Sequence, residues 1–198
     1  MPNPTSSTSS RLAMAQWIVN VEARRDKAGR LRVYMLPKGD GGGTYEIAGI
    51  NDKYHPEIAA KLRTYLDWNK FAEAEALAVE HIAQCTDVVA TWCREPGIEF
   101  FLRDCAFNRG ARGAAMILQG ALNVARDGRV GPVTRKALAV FTPPKRPSYT
   151  VRLLSFLRAE RERYERRVAP PEGDRAKFWR GLVNRWDAAH AEALRWNA

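Results

Sequence analysis

Met116-Ile117-Leu118-Gln119-Gly120-Ala121-Leu122-Asn123-Val124-Ala125-Arg126-Asp127-Gly128-Arg129-Val130-Gly131-Pro132-Val133-Thr134 is the stretch that decides how this chain folds. Gly128 suits the left-handed conformation that ends a helix. Gly131-Pro132 turns the chain and opens the next helix, because proline at the first helical position presets φ and sacrifices no hydrogen bond. The stretch predicts a helix over Arg112–Ala125, a turn, and a second helix over Pro132–Val140. The two would pack through Met116, Leu118, Leu122, Val130 and Leu138.

The flanking sequence repeats this grammar. Pro96 opens a helix over Ile98 to Phe107. Pro143, Pro144 and Pro147 break the chain before a basic helix, Tyr149–Val168, and Pro170, Pro171 and Gly173 break it before a last helix from about Asp174 to Leu194. Nearer the N-terminus, Glu57–Trp68 and an alanine-rich Ala72–Trp92 read as helices, and Arg11 to about Arg25 as the first one. Leu31–Leu36 and Thr44–Ile50 read as paired strands around the glycine-rich loop Pro37–Gly43. The fold class expected is α+β, predominantly α-helical, with one small β-hairpin after the first long helix.

The chain has 198 residues and a formal net charge of +10. Its 45% hydrophobic and 27% charged residues exclude a disordered or collagen-like chain. Residues 1–100 carry a net −1 and residues 101–198 a net +11. A basic half suits an anionic polymer: nucleic acid, lipid head groups or the bacterial envelope. Three cysteines, Cys85, Cys93 and Cys105, are too few and odd in number for a disulfide framework, and are expected as reduced thiols in a core. His81 and Cys85 stand one helical turn apart with Cys93 two turns beyond, matching no common zinc spacing, so core packing and no metal are expected. His55, before Pro56, is expected in a surface loop. The helix bearing Arg158, Arg161, Arg163, Arg166 and Arg167 also bears Glu160, Glu162 and Glu165, and is expected as a mixed solvated face. With Tyr164 its one aromatic, it offers little stacking surface for single-stranded nucleic acid. No apolar run reaches membrane-spanning length, and the Ser/Thr-rich residues 1–10 read as a flexible tail without a signal peptide.

The motifs add a resemblance. Asn108-Arg109-Gly110, then Ala115 to Leu118-Gln119, then Asp127-Gly128 through Gly131-Pro132 to Thr134, resemble the C-terminal part of glycoside hydrolase family 108 endolysins, the predicted peptidoglycan domain. Phe178-Trp179-Arg180-Gly181-Leu182-Val183-Asn184-Arg185 is similar to that family's ending, with Leu182 where tryptophan is usual and Trp186 one turn away as a substitute ring. In the N-terminal half, Glu22 at the end of the first helix, Asp40 and Thr44 in the loop, and Tyr45 to Ile50 follow the family's order. Here Glu22 precedes Ala23-Arg24 instead of two glycines, and Asp40 lies 18 residues after it.

The resemblance implies a lysozyme-like muramidase that hydrolyses the β-1,4 bond between N-acetylmuramic acid and N-acetylglucosamine. Residues 11–95 would form the catalytic lobe and 96–198 a helical peptidoglycan-binding lobe, the two packed as one compact unit. Such hydrolysis needs a carboxylic acid to protonate the leaving oxygen and a second group to stabilise the oxocarbenium-like state or activate water. Glu22, flanked by Trp17, Ile18 and Val21, is the expected acid, in an apolar lip that would raise its pKa. Asp40 or Glu46 is the second carboxylate, and Thr44 holds water. Tyr45, Asn108, Arg109, Gln119, Asp127 and Thr134 are the implied substrate-binding residues. No cofactor is needed. The partner is peptidoglycan rather than nucleic acid or membrane, and the state is monomeric. A chain made in the host cytoplasm would reach the wall through a holin or a secretion apparatus. The alternative is a non-catalytic peptidoglycan-binding protein with a degenerate catalytic half.

Overall fold

Proline at the first helical position fixes where several helices start. The computed structural model describes residues 8–37, 43–144, 146–172 and 176–197. Among them are seven α-helices and a three-stranded antiparallel sheet, so the chain is α+β and predominantly helical. Its elements are α1 (Thr8–Glu22), β1 (Tyr34–Met35), β2 (Tyr45–Ile47), β3 (Ile50–Asn51), α2 (Pro56–Asp67), α3 (Phe71–Cys85), a 3₁₀ helix (Asp87–Thr91), α4 (Pro96–Ala121), α5 (Pro132–Phe141), α6 (Pro147–Val168) and α7 (Ala176–Arg195). Four helices begin on a proline. No described helix is long and apolar enough to cross a membrane. The chain packs as two compact units that divide between Cys85 and Thr86.

In the unit Thr8–Cys85, α1 lies against α3 and α2 packs on both α3 and the sheet. The core is Met14, Ile18, Val19, Ile47, Ile50, Leu62 and Ile82. The expected hairpin gains a third strand. Ala48 and Gly49 take positive φ (52° and 76°), the backbone of a tight two-residue turn that matches strand twist, so Thr44–Ile50 folds back on itself. The register is Tyr34↔Glu46 and Met35↔Tyr45 on one side of β2, and Glu46↔Asn51 and Ile47↔Ile50 on the other. Helix α2 ends where Asn69 adopts φ 58°, with Asn69 N–H donating to Leu66 O and Lys70 N–H to Tyr65 O. That pair of bonds satisfies the last carbonyls.

In the unit from Thr86 onward, α4, α6 and α7 pack pairwise. The two helices expected on either side of residue 110 are both present, run together as α4 and separated by the non-helical Gly110 (φ 67°, ψ 169°). The second stops at Ala121, four residues before the expected end. Asn123 takes φ 56° there, while Asn123 N–H donates to Gly120 O and Val124 N–H to Gln119 O. The helix expected over Ala72–Trp92 ends at Cys85. Arg103 draws the following residues into a 3₁₀ helix by donating to Thr86 Oγ1 and Asp87 Oδ1, both at 3.0 Å.

Helix α6 departs furthest from expectation. Its apolar row Leu153, Leu154, Leu157 continues at helical spacing into Glu160, Arg161 and Glu165, which are all buried rather than solvated. Small residues on α4 admit them. A Cβ on Gly120 would stand 2.5 Å from the Glu160 carboxylate, and one on Gly113 would meet Tyr164. Arg161 and Arg185 both donate to Asp104, which has no exposed surface. Burial alone would raise the Asp104 pKa, but the two guanidinium groups outweigh it and hold the carboxyl below its ordinary value. Trp186 lies beside Trp179 at 5.4 Å in an edge-to-face contact and is 1% exposed, so it presents no ring to a ligand.

Replacing Asp104 with alanine leaves two guanidinium groups without their shared anion and is expected to cost about 3–5 kcal/mol in urea denaturation. The contribution of Asp104 is complete above its unfolded pKa and is lost as pH falls through its lower folded value. Asp104→Asn should therefore flatten the loss of stability below about pH 4 relative to the parent chain. An unchanged urea midpoint in Asp104→Ala would contradict this account.

Candidate functional site

The site expected from sequence begins where α1 ends. Glu22 is its last residue and is half-buried, and Ala23 N–H completes the helix by donating to Val19 O. Of the apolar neighbours expected to form a lip, Ile18 is buried, Trp17 is half-buried and Val21 is exposed. The chain then reverses around Asp26, whose carboxylate accepts from Ala28 N–H, Arg30 N–H and the Arg30 side chain. Those bonds, the Arg30 backbone first, hold its pKa down. The two arginines after Glu22 have defined directions. Arg25 makes a two-pronged ion pair with Glu75 of α3, at 2.9 and 2.7 Å, and Gln16 donates to the same carboxylate at 2.8 Å. The Arg25 bond lowers the Glu75 pKa. Arg24 lies over the Tyr34 ring, 5.2 Å from its centroid.

Tyr34 connects this turn to the sheet. It is the cross-strand partner of Glu46, which pairs in turn with Asn51. Cross-strand partners share a face, so Tyr34, Glu46 and Asn51 form one row across the sheet. Glu46 is half-buried at the centre of that row. Thr44 is exposed, and Tyr45 is half-buried with the Arg63 guanidinium 5.1 Å from its ring centroid. Asp40 lies outside the described residues.

A further carboxylate, which the sequence reading missed, organises this edge. Asp52 Oδ1 accepts from Thr44 N–H at 2.8 Å and Tyr45 N–H at 3.3 Å. The Thr44 bond comes first among the causes that lower its pKa. Gly43 has φ 110°, and a Cβ there would stand 2.1 Å from Asp52 Oδ1 and 3.0 Å from Lys53 Cβ, so this position favours glycine. The available signal was Asn51-Asp52 directly after a strand, a pair suited to bonding nearby backbone N–H groups. Asn51 does so as well, accepting from Tyr54 N–H at 2.9 Å.

The residues implied for substrate binding in the other unit fall into two groups. Asn108 is exposed and donates to Asp104 O at 2.8 Å, and Arg109 forms a two-pronged pair with buried Glu165. Gln119, Asp127 and Thr134 instead form one knot. Gln119 Nε2 donates to Asp127 Oδ1 at 2.6 Å and Arg129 O at 2.9 Å, and meets Thr134 Oγ1 at 3.2 Å. Gly128, at φ 75°, donates back to Gln119 Oε1 at 2.9 Å. The bond from Gln119 leads the causes that lower the Asp127 pKa. Gln119 and Thr134 are buried, so they act on the surface by shaping the loop between α4 and α5. A cavity of about 420 Å³ in the same unit is lined by Trp92, Arg94, Glu95, Arg135 and Thr142, none of them foreseen.

The thiols and histidines also divide. Cys93 and Cys105 are buried, and burial pushes both thiols up to about 12. Cys85 is exposed, contrary to the core expected for it. His81, half-buried, stands beside both Cys85 and His55, so neither histidine is an isolated core or loop group. Burial lowers the pKa of both histidines, His81 further through His55, and raises that of Cys85.

No family model matches this chain, and no curated protein matches it. Among solved structures it is similar to Brucella abortus SagA, with a TM-score of 0.63 and 19% identity, covering 96% of this chain and 97% of that one. The likeness is one of fold. It extends over nearly the whole of both chains, but the resemblance to family 108 is not raised to membership.

The knot around Gln119 carries a test of its own. Gln119→Leu takes the shared partner from buried Thr134 and from the partly buried Gly128 N–H and Arg129 O, and should cost about 1–3 kcal/mol in urea denaturation. Thr134→Val, which removes one long contact, should cost under about 1 kcal/mol. Equal effects of the two would show that Gln119 is not the centre of the turn.

Proposed function

We propose that this chain acts on peptidoglycan as a lysozyme-like muramidase, cleaving the β-1,4 bond between N-acetylmuramic acid and N-acetylglucosamine. The observation that carries the reading is the position of Glu22. It is the last residue of α1, ahead of a small sheet that bears Glu46 at the centre of one face and Thr44 at its edge. This is the order in which the resembled family carries its acid and its hairpin. Glu22 is assigned the general acid. Glu46 or Asp40 supplies the second carboxylate, and Thr44 orients water. Arg25 is committed to Glu75, which leaves that guanidinium directed at α3. The same unit exposes three aromatic rings, Tyr34, Tyr54 and Trp68, each with a cation over it, Arg24, Lys53 and Lys70 respectively. The basic unit that begins at Thr86 would hold the enzyme on the anionic wall, with Asn108, Arg109 and Asp127 at its surface and Gln119 and Thr134 shaping the loop beneath. The chain would act as a monomer, reaching the wall through a holin or a secretion apparatus.

One observation favours a second reading, a non-catalytic peptidoglycan-binding protein. Ala23 continues the helical hydrogen bonding past Glu22, and Arg24 O accepts from Arg32 N–H beside an isolated bridge between Arg25 and Leu31, so the acid does not sit in a glycine turn.

Turbidity loss of outer-membrane-permeabilised Gram-negative cells decides between them. The muramidase reading expects lysis that Glu22→Gln slows by about 10²- to 10⁴-fold, with sacculus pelleting unchanged. Lysis at the parent rate in Glu22→Gln would overturn the acid assignment. Pelleting without lysis would favour the binder, and retention on DNA but not on sacculi would sink both. Salt should weaken pelleting more than it slows cleavage of soluble fragments.

A further inference from the structure

His55 and His81 are 26 residues apart in sequence, yet their rings meet edge to face with centroids 4.8 Å apart. Cys85 follows His81 by one helical turn on α3. His81 Nε2 lies 3.1 Å from His55 Nδ1 and 3.3 Å from Cys85 Sγ, and the three donor atoms all fall within 4.8 Å of one another. A tetrahedral zinc ion, with bonds of about 2.0–2.1 Å to nitrogen and about 2.3 Å to sulfur, sets donor–donor edges of about 3.3–3.6 Å. Two edges of the triangle are therefore within a few tenths of an ångström of that size. The third is adjustable, because Cys85 is exposed and its side chain has room to rotate.

The scaffold beneath these groups is fixed. His55 sits immediately before Pro56 at the start of α2. Its N–H donates to Asn51 O at 3.0 Å, and its carbonyl accepts from Ala59 N–H at 2.9 Å. Beside it opens a cavity of about 290 Å³ lined by His55, Pro56, Glu57 and Ile58. Two imidazoles and a thiolate form a borderline-soft set, which suits zinc and neighbouring divalent transition metals and not calcium or magnesium.

We propose that His55, His81 and Cys85 bind one zinc(II) ion, with water completing the tetrahedron, and that the ion clips the start of α2 to α3. On binding, the Cys85 thiol releases its proton to solvent. The hydrogen shared between the two imidazoles moves to a ring nitrogen that faces away from the metal, so both ligating nitrogens offer lone pairs. The site is separate from the one assigned to Glu22. Glu75, which holds Arg25 just after Glu22, precedes His81 by six residues on α3, or about 9 Å along the helix axis. The clip is thus apart from the chemistry assigned to Glu22, and it does not rest on the muramidase reading.

The test uses the full chain, reduced and stripped of metal with a chelator, then mixed with zinc or cobalt(II) and desalted. One equivalent of zinc should be retained, with a raised thermal midpoint, and cobalt should give a thiolate-to-metal charge-transfer band. His81→Gln and Cys85→Ser should each lower retention at least tenfold and abolish the band, with circular dichroism unchanged. Cys93→Ser and Glu22→Gln should keep both. Retention no better than in Cys85→Ser, or a cobalt spectrum without the thiolate band, would overturn the proposal and leave the triad as a hydrogen-bonded chain.

Discussion

Asp104 is the constraint on which the helical unit depends. A carboxylate with no exposed surface, placed on α4, is tolerable only if α6 brings Arg161 and α7 brings Arg185 to it. Each of these charges costs several kcal/mol to remove from water, and only their mutual geometry recovers it. That requirement acts as a register lock. Sliding α6 by one residue along α4 would carry Arg161 away from Asp104 and drive Glu160 away from the gap at Gly120. A leucine-only interface would tolerate such a slip with less penalty. Phe101 and Trp186 flank the Arg161 guanidinium at 5.7 and 5.9 Å, so the same cation also organises the aromatic packing.

The other unit is held in a different way. Its apolar core is built from α1, α2, α3 and the sheet, and its polar contacts sit at edges: Arg25 on Glu75, Asp52 on the backbone of Thr44 and Tyr45, and Asp26 within its own turn. These are partly or fully exposed bonds, each contributing little by itself. Their effect is on direction. They aim the chain after Glu22 toward α3 and Tyr34, and they fix the backbone of Thr44 and Tyr45 beside Glu46.

Much of the fold is legible because its boundaries are chemical. Pro56, Pro96, Pro132 and Pro147 each start a helix, and Gly128 marks the turn before α5. The misread boundaries are those set by residues that seldom give such a signal. Asn123 in the left-handed region ends α4, Ala48 does the same for β2, and Arg103 reaches back to unwind the segment after Cys85. The charges of α6 were illegible for a related reason. Alternating Arg and Glu on a helix looks solvated whether or not a neighbour has glycine opposite it, and Gly113 and Gly120 acquire that meaning only once α4 and α6 are packed. The His55–His81 contact spans 26 residues and follows from the topology of β3, α2 and α3, which no local spacing encodes.

This has a consequence for how the motifs bear on function. The most recognisable string in the sequence, Leu118-Gln119 with Asp127-Gly128 and Gly131-Pro132 to Thr134, turns most of its hydrogen-bonding groups on itself. A string of that kind reports a loop geometry, and two proteins can share it by sharing a fold. It therefore accounts for how the loop between α4 and α5 is built, and adds little to the case for a particular reaction. The chemistry must be judged on groups that the fold leaves at least partly accessible, Glu22, Thr44 and Glu46 among them. Their arrangement follows from where α1 stops and how β2 pairs, not from the motif.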